Sequence, residues 1–160
     1  MSDKKAVLIS IQPKWCEEIA NGKKTIEVRK TKPKLETPFK VYIYATWNGS
    51  KKEILVKQDG QLFCKDWRKA NGLQRASGKV IGEFVCDRIE DFSKWEFDYA
   101  SLLRHINLFA GTNGDYKFLD DYLKGQKKGY AWHISDLKIY DKPKELSEFY
   151  AKCNIPRKQV

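Results

Sequence analysis

The chain has 160 residues, 41% of them apolar and 13% aromatic, with a formal net charge of +10 and a sequence pI near 9.4. That length suits one domain with a proper core, and the apolar content excludes a disordered chain. No apolar run reaches the length of a membrane-spanning helix, and the opening "MSDKKAVLIS" lacks a signal-peptide core, so the expectation is a soluble, cytoplasmic, single domain over residues 1–160.

"AVLISI" (Ala6–Ile11) is short and β-branched and predicts a buried strand. In "QPKWCEEIANG", Pro13 suits the first helical position and Gly22 the residue past the end, while Trp15 with Ile19 and Cys16 with Ala20 make one apolar face. Lys23 and Lys24 follow that helix, where its dipole favours cations. "TIEVRK" (25–30) alternates as a strand, with Ile26 and Val28 on one side and Thr25, Glu27 and Arg29 on the other. After the loop "TKPKLETP", "FKVYIYAT" (39–46) predicts a strand with Val41 and Ile43 opposite Tyr42 and Tyr44.

Residues 47–77 read as an excursion holding a strand, "EILVKQ", and a short helix, "LFCKDWRKANG" (62–72), rich in basic residues such as Lys65, Arg68, Lys69 and Arg75. "KVIGEFVCDRI" (79–89) returns to strand, with Gly82 marking a bulge or a close backbone approach. A second excursion, 91–128, is mainly helical. Its clearest helix is "DYKFLDDYLKG", with Asp115 as N-cap, Phe118 and Tyr122 on one face and Gly125 as terminator. "YAWHISDLKIYD" (130–141) is a strand whose apolar phase changes midway, which predicts a bulge near Ser135 and Asp136. "KPKELSEFY" (142–150) predicts a closing helix begun by Pro143. Strands outnumber helices and βαβ crossovers are scarce, so the class is α+β, with a curled sheet or small barrel and peripheral helices.

The charge favours polyanions, nucleic acid above all, through counterion release. Cys16, Cys64, Cys86 and Cys153 form no CxxC pair and gain no zinc spacing from His105 and His133, so no metal and no disulfide framework is expected. "GTNGDYK" is a turn and lacks the phosphate-loop pattern.

Gly22, Lys24, Glu27 and Arg29 together spell GxKxxExR. With the strand and Pro-started helix before it, and "FKVYIYAT", "GKVIGEFVCDRI" and "GYAWHISDLKIYDKPKELSEF" after it, the chain resembles the ASCH domain family of the PUA-like superfamily, bacterial or phage type. The resemblance implies a small open β-barrel with peripheral helices and a cleft lined by the motif. It also implies a role in binding RNA or in translation-linked regulation. Some family members instead hydrolyse an N-acylated nucleoside such as N4-acetylcytidine. In those, a threonine nucleophile follows the motif lysine by three residues. Lys24 matches that lysine, but Glu27 occupies the nucleophile position, leaving Thr25 as the candidate hydroxyl.

The candidate ligand contacts are Lys24, Thr25, Glu27, Arg29, Trp15, Tyr44, Trp132 and His133; for an enzyme, Lys24, Thr25 and Glu27 would carry the chemistry. Arg29 offers a planar fork for phosphate, carboxylate or a base edge, and Glu27 an acceptor for an amine or ribose hydroxyl. Each has a plainer alternative. Glu27 and Arg29 can pair with each other, Lys24 can be a helix-end cation, Trp15 and Trp132 can be core, and His133 can be a packing residue. The expected partner is RNA or a nucleotide-like ligand bound by a monomer, with no membrane, metal or organic cofactor; a protein partner is the third possibility.

Overall fold

In the computed structural model, which describes residues 6–47, 52–112 and 116–149, eight strands and three helices alternate irregularly along the chain. They are β1 (Ala6–Ile11), α1 (Pro13–Ala20), β2 (Ile26–Arg29), β3 (Phe39–Ala45), β4 (Glu53–Gln58), β5 (Gln61–Asp66), β6 (Gln74–Arg75), β7 (Lys79–Asp91), α2 (Tyr99–Asn107), α3 (Tyr116–Leu123) and β8 (Tyr130–Lys144). The expected N-cap Asp115, Cys153 and the chain beyond residue 149 lie outside the described residues.

A five-stranded sheet runs in the order β1-β3-β7-β8-β2, with β1 and β3 parallel and every other neighbour antiparallel. Strands β1 and β2 are therefore its two edges. Yet Arg29 Nη1 at the end of β2 donates to the carbonyl of Ser10 on β1 at 3.2 Å. The sheet must curl until its edges nearly meet, which makes an α+β half-barrel with an open seam. A second sheet, β5-β4-β6, is built wholly from the first excursion.

Three apolar clusters hold these parts. Inside the curl, Ile9, Ile11, Val41, Ile43, Phe84 and Trp132 pack with Cys16 and Ile19 of α1. On the outer side of β2 and β8, Ile26, Val28 and Ala131 pack with Leu102 and Ile106 of α2 and Leu119 and Leu123 of α3. Tyr42, Val80, Tyr140 and Phe149 form the third.

Two expected features are present in detail. A Cβ at Gly82 would sit 2.5 Å from the Lys138 carbonyl, so β7 and β8 approach too closely there for a side chain. In β8, Ser135 lies opposite Val85 and Lys138 opposite Glu83, so β8 advances by one residue more than β7; Asp136, at φ 48°, takes up the extra residue. Two expectations fail. Residues 62–72 are strand β5 and a single turn at Trp67–Lys69, because Asp59 and Gly60, both at positive φ, fold β4 and β5 into a hairpin. The closing helix is absent from the described residues: Pro143 continues β8, Lys144 pairs with Val80, and within the described chain a short 3-10 turn, Leu146–Phe149, follows.

Candidate functional site

The barrel seam holds a cavity of about 200 Å³. Ser10, Ile11 and Gln12 form one wall where β1 passes into α1, and Glu27, Val28 and Arg29 of β2 form the opposite one. Trp15 and Lys24 close one end, while Ala110, Thr112, Phe118, Leu119 and Tyr122, all from the second excursion, form the roof. This volume lies below the ~300–1,000 Å³ of drug-sized sites, so it suits one base or sugar.

Three charged side chains meet here. Lys24 and Glu27 are buried and paired, Nζ to Oε1 at 3.4 Å, and Lys24 Nζ also donates to the Ala110 carbonyl at 3.2 Å. The same ammonium stands 5.4 Å from the centre of the Trp15 ring. Glu18, also buried, accepts the Lys24 backbone N–H through its carbonyl at 2.9 Å, while its carboxylate Oε2 has no hydrogen-bond partner among the described residues. Arg29 makes its described hydrogen bond through Nη1 alone, which leaves the rest of its fork available. Burial pushes the Tyr122 phenol above its ordinary pKa; the Arg29 charge opposes that shift and Glu27 reinforces it.

The loop after α2 fixes this geometry. The Phe109 carbonyl accepts both Thr25 N–H at 2.7 Å and Ile26 N–H at 3.1 Å, so the roof is tied to the start of β2. Gly111, at φ 75°, could carry no side chain: its Cβ would lie 2.8 Å from Lys24 Cβ and 3.2 Å from Glu18 Cβ. Phe118 tilts against Trp15 with ring centres 4.7 Å apart. The Gln12 side chain makes no capping bond to α1, and Gln12 lines the cavity.

The structure thus brings together Lys24, Glu27, Arg29 and Trp15. Lys24 is no solvated helix-end cation, and Trp15 serves both core and cavity. The other candidates lie elsewhere. Thr25 precedes β2, is exposed and does not line the cavity. Trp132 is in the inner core, edge-on to Phe39 at 5.8 Å. Tyr44 and Tyr42 belong to the third cluster. His133 contacts Arg88 at 3.0 Å and shares Glu90 with His105, each imidazole just over 3 Å from that carboxylate. Sequence reasoning missed the roof. Its one readable signal was the shared face of Phe118 and Tyr122. Among the described residues no group of three or more His, Cys, Asp or Glu side chains is placed to hold a metal, and no helix is long and apolar enough to cross a membrane.

A comparison with solved structures returns the same half-barrel. The crystal structure of ASCH from Zymomonas mobilis matches at 20% identity and a TM-score of 0.57, covering 93% of this chain and 79% of that one. A mutant form of that protein matches at 20% identity and 0.59, covering 92% and 80%. At such identity the likeness establishes the fold alone. No curated protein matches the chain. The ASCH domain model matches residues 9–144, from β1 to the end of β8 and across both walls and the roof of the cavity, and on that span the chain belongs to the ASCH domain family.

Proposed function

We propose that the seam cavity binds one nucleoside-sized group of an RNA, or a free nucleotide, with Arg29 as its principal polar contact. The observation that carries this reading is the half-used guanidinium of Arg29 beside the buried Lys24–Glu27 pair. A buried ion pair is a poor way to stabilise a fold, and apolar residues would fill the same space at less cost. Charges kept around a hollow are therefore best accounted for by a ligand. The free side of the Arg29 fork suits a phosphate or a base edge, Glu27 and Gln12 suit base or ribose polar groups, and Trp15 and Phe118 supply aromatic surface.

Binding is favoured over hydrolysis of an N-acylated nucleoside because Thr25, the candidate nucleophile, stands outside the cavity lining. The test is fluorescence anisotropy with a short single-stranded RNA across a salt series. Arg29→Ala is expected to weaken binding ~10-fold or more and to flatten the logarithmic salt slope by roughly 0.7–1. Affinity and slope indifferent to that substitution would discard the reading.

A further inference from the structure

We propose a second RNA contact on the first excursion: the open groove between Trp47 and Trp67 is a stacking platform for bases of single-stranded RNA. The partner class rests on the reading of the seam cavity, but the residues are different. Trp47 and Trp67 are 54% and 47% exposed, and both line a groove of about 570 Å³ on the β5-β4-β6 sheet. Its floor is apolar, made by the buried Ile54 and Val56. Two large indoles left in water over such a floor are costly in solution and mark a surface that some partner covers.

Charge decides which partner. Among the described residues the groove is lined by two arginines, Arg68 and Arg75, and by no carboxylate. Arg75, exposed on the rim, sets its guanidinium carbon 6.0 Å from the centre of the Trp47 ring. A cation beside an exposed aromatic face is the arrangement that single-stranded nucleic acid uses, with phosphate on the cation and base on the ring. A duplex offers no free base face, so the strand must be single. Arg68 has another task. It is bound through Nε and Nη2 to both carboxylate oxygens of Asp66, at 3.1 and 2.7 Å, and Asp66 also accepts the Arg68 N–H. With the Trp67 N–H donating to the Lys52 carbonyl at 2.9 Å, the turn that carries Trp67 is held before any ligand arrives. Little ordering entropy then remains to be lost on binding.

The test uses the full chain and a labelled oligouridine strand, followed by anisotropy at one fixed salt concentration. The wild type is compared with Trp47→Ala, Trp67→Ala, their double variant, Arg75→Glu and Arg29→Ala, and the strand with an abasic strand of equal length. Each tryptophan removed is expected to lower affinity at least ~5-fold. The abasic strand should bind at least as weakly as the intact strand binds the double variant, and Arg75→Glu, at an exposed position, should weaken binding even if the double variant proves unstable. Unchanged binding by a folded double variant, by Arg75→Glu or by the abasic strand overturns the proposal. If Arg29→Ala weakens binding and the tryptophan variants do not, the platform fails and the cavity reading stands. The opposite pattern keeps the platform and removes the cavity. A wild type that binds no strand overturns both.

Discussion

The two excursions from the half-barrel do opposite things with their aromatic residues. The second, which supplies α2 and α3, folds back over the seam, so Phe118 and Tyr122 become the roof of a small cavity already occupied by a paired lysine and glutamate. The first builds a sheet of its own and leaves Trp47 and Trp67 in solvent along an open groove. In the roofed site the geometry is fixed by contacts within the protein, so changes there should be felt first in stability. In the open groove about half of each indole faces solvent, so changes there should cost little in folding.

The largest expected effect is at the roofed site. Lys24→Met leaves Glu27 buried without the ammonium that pairs with it. The expected loss is about 3 kcal/mol of unfolding free energy, the low end for a broken buried pair because the cavity admits water. Chemical denaturation measures it, and a double variant with Glu27→Leu should recover most of the loss. A Lys24→Met protein as stable as the wild type would mean that the pair is not buried in the folded state.

Gly111→Ala comes next. Its backbone is at φ 75° and the added methyl would strike the Cβ of Lys24, so about 1–3 kcal/mol should be lost and RNA affinity with it. This substitution touches no ligand, which makes it a clean measure of how far the loop after α2 positions Lys24.

The smallest effect belongs to the first excursion. Cys64 of β5 is half-buried, and burial pushes its thiol pKa from 9.0 up to about 11, with Glu53 and Glu17 adding to the shift. A thiol that ionises later in the folded than in the unfolded chain leaves the folded state holding more protons between those values. Stability should therefore fall as pH rises from about 9 to about 11. Cys64→Ser should shallow that decline slightly, and its alkylation should be slow at pH 8 compared with a free thiol. Rapid alkylation at pH 8 would contradict the packing of β5 on α1, where the Cys64 N–H donates to Glu17 Oε2 at 2.6 Å.

How much was legible in the sequence follows the same division. The local patterns of β1, α1, β3, β7 and β8 were readable because apolar period and punctuation agree, down to the bulge at Asp136. Alternation placed Glu27 and Arg29 on one face correctly. It placed Thr25 with them only because it carried the strand one residue too far, for β2 begins at Ile26. The roof was not legible: that Phe109 ties to Thr25 and Ile26 depends on contacts more than 80 residues apart, which leave no local trace. Residues 62–66 look helical in isolation, and pairing with β4 overrode that propensity, although the Asp59–Gly60 turn carried the hairpin signal.

The central claim is that the gap between β1 and β2 is a ligand site, and the most direct measurement is an amide chemical-shift titration with cytidine monophosphate. Saturable shifts are expected at Ser10, Glu27, Val28, Arg29 and Thr112, with a midpoint that Arg29→Ala moves ~10-fold or more to higher concentration. Shifts that leave those amides still while other surfaces respond, or a midpoint indifferent to the loss of Arg29, would contradict it.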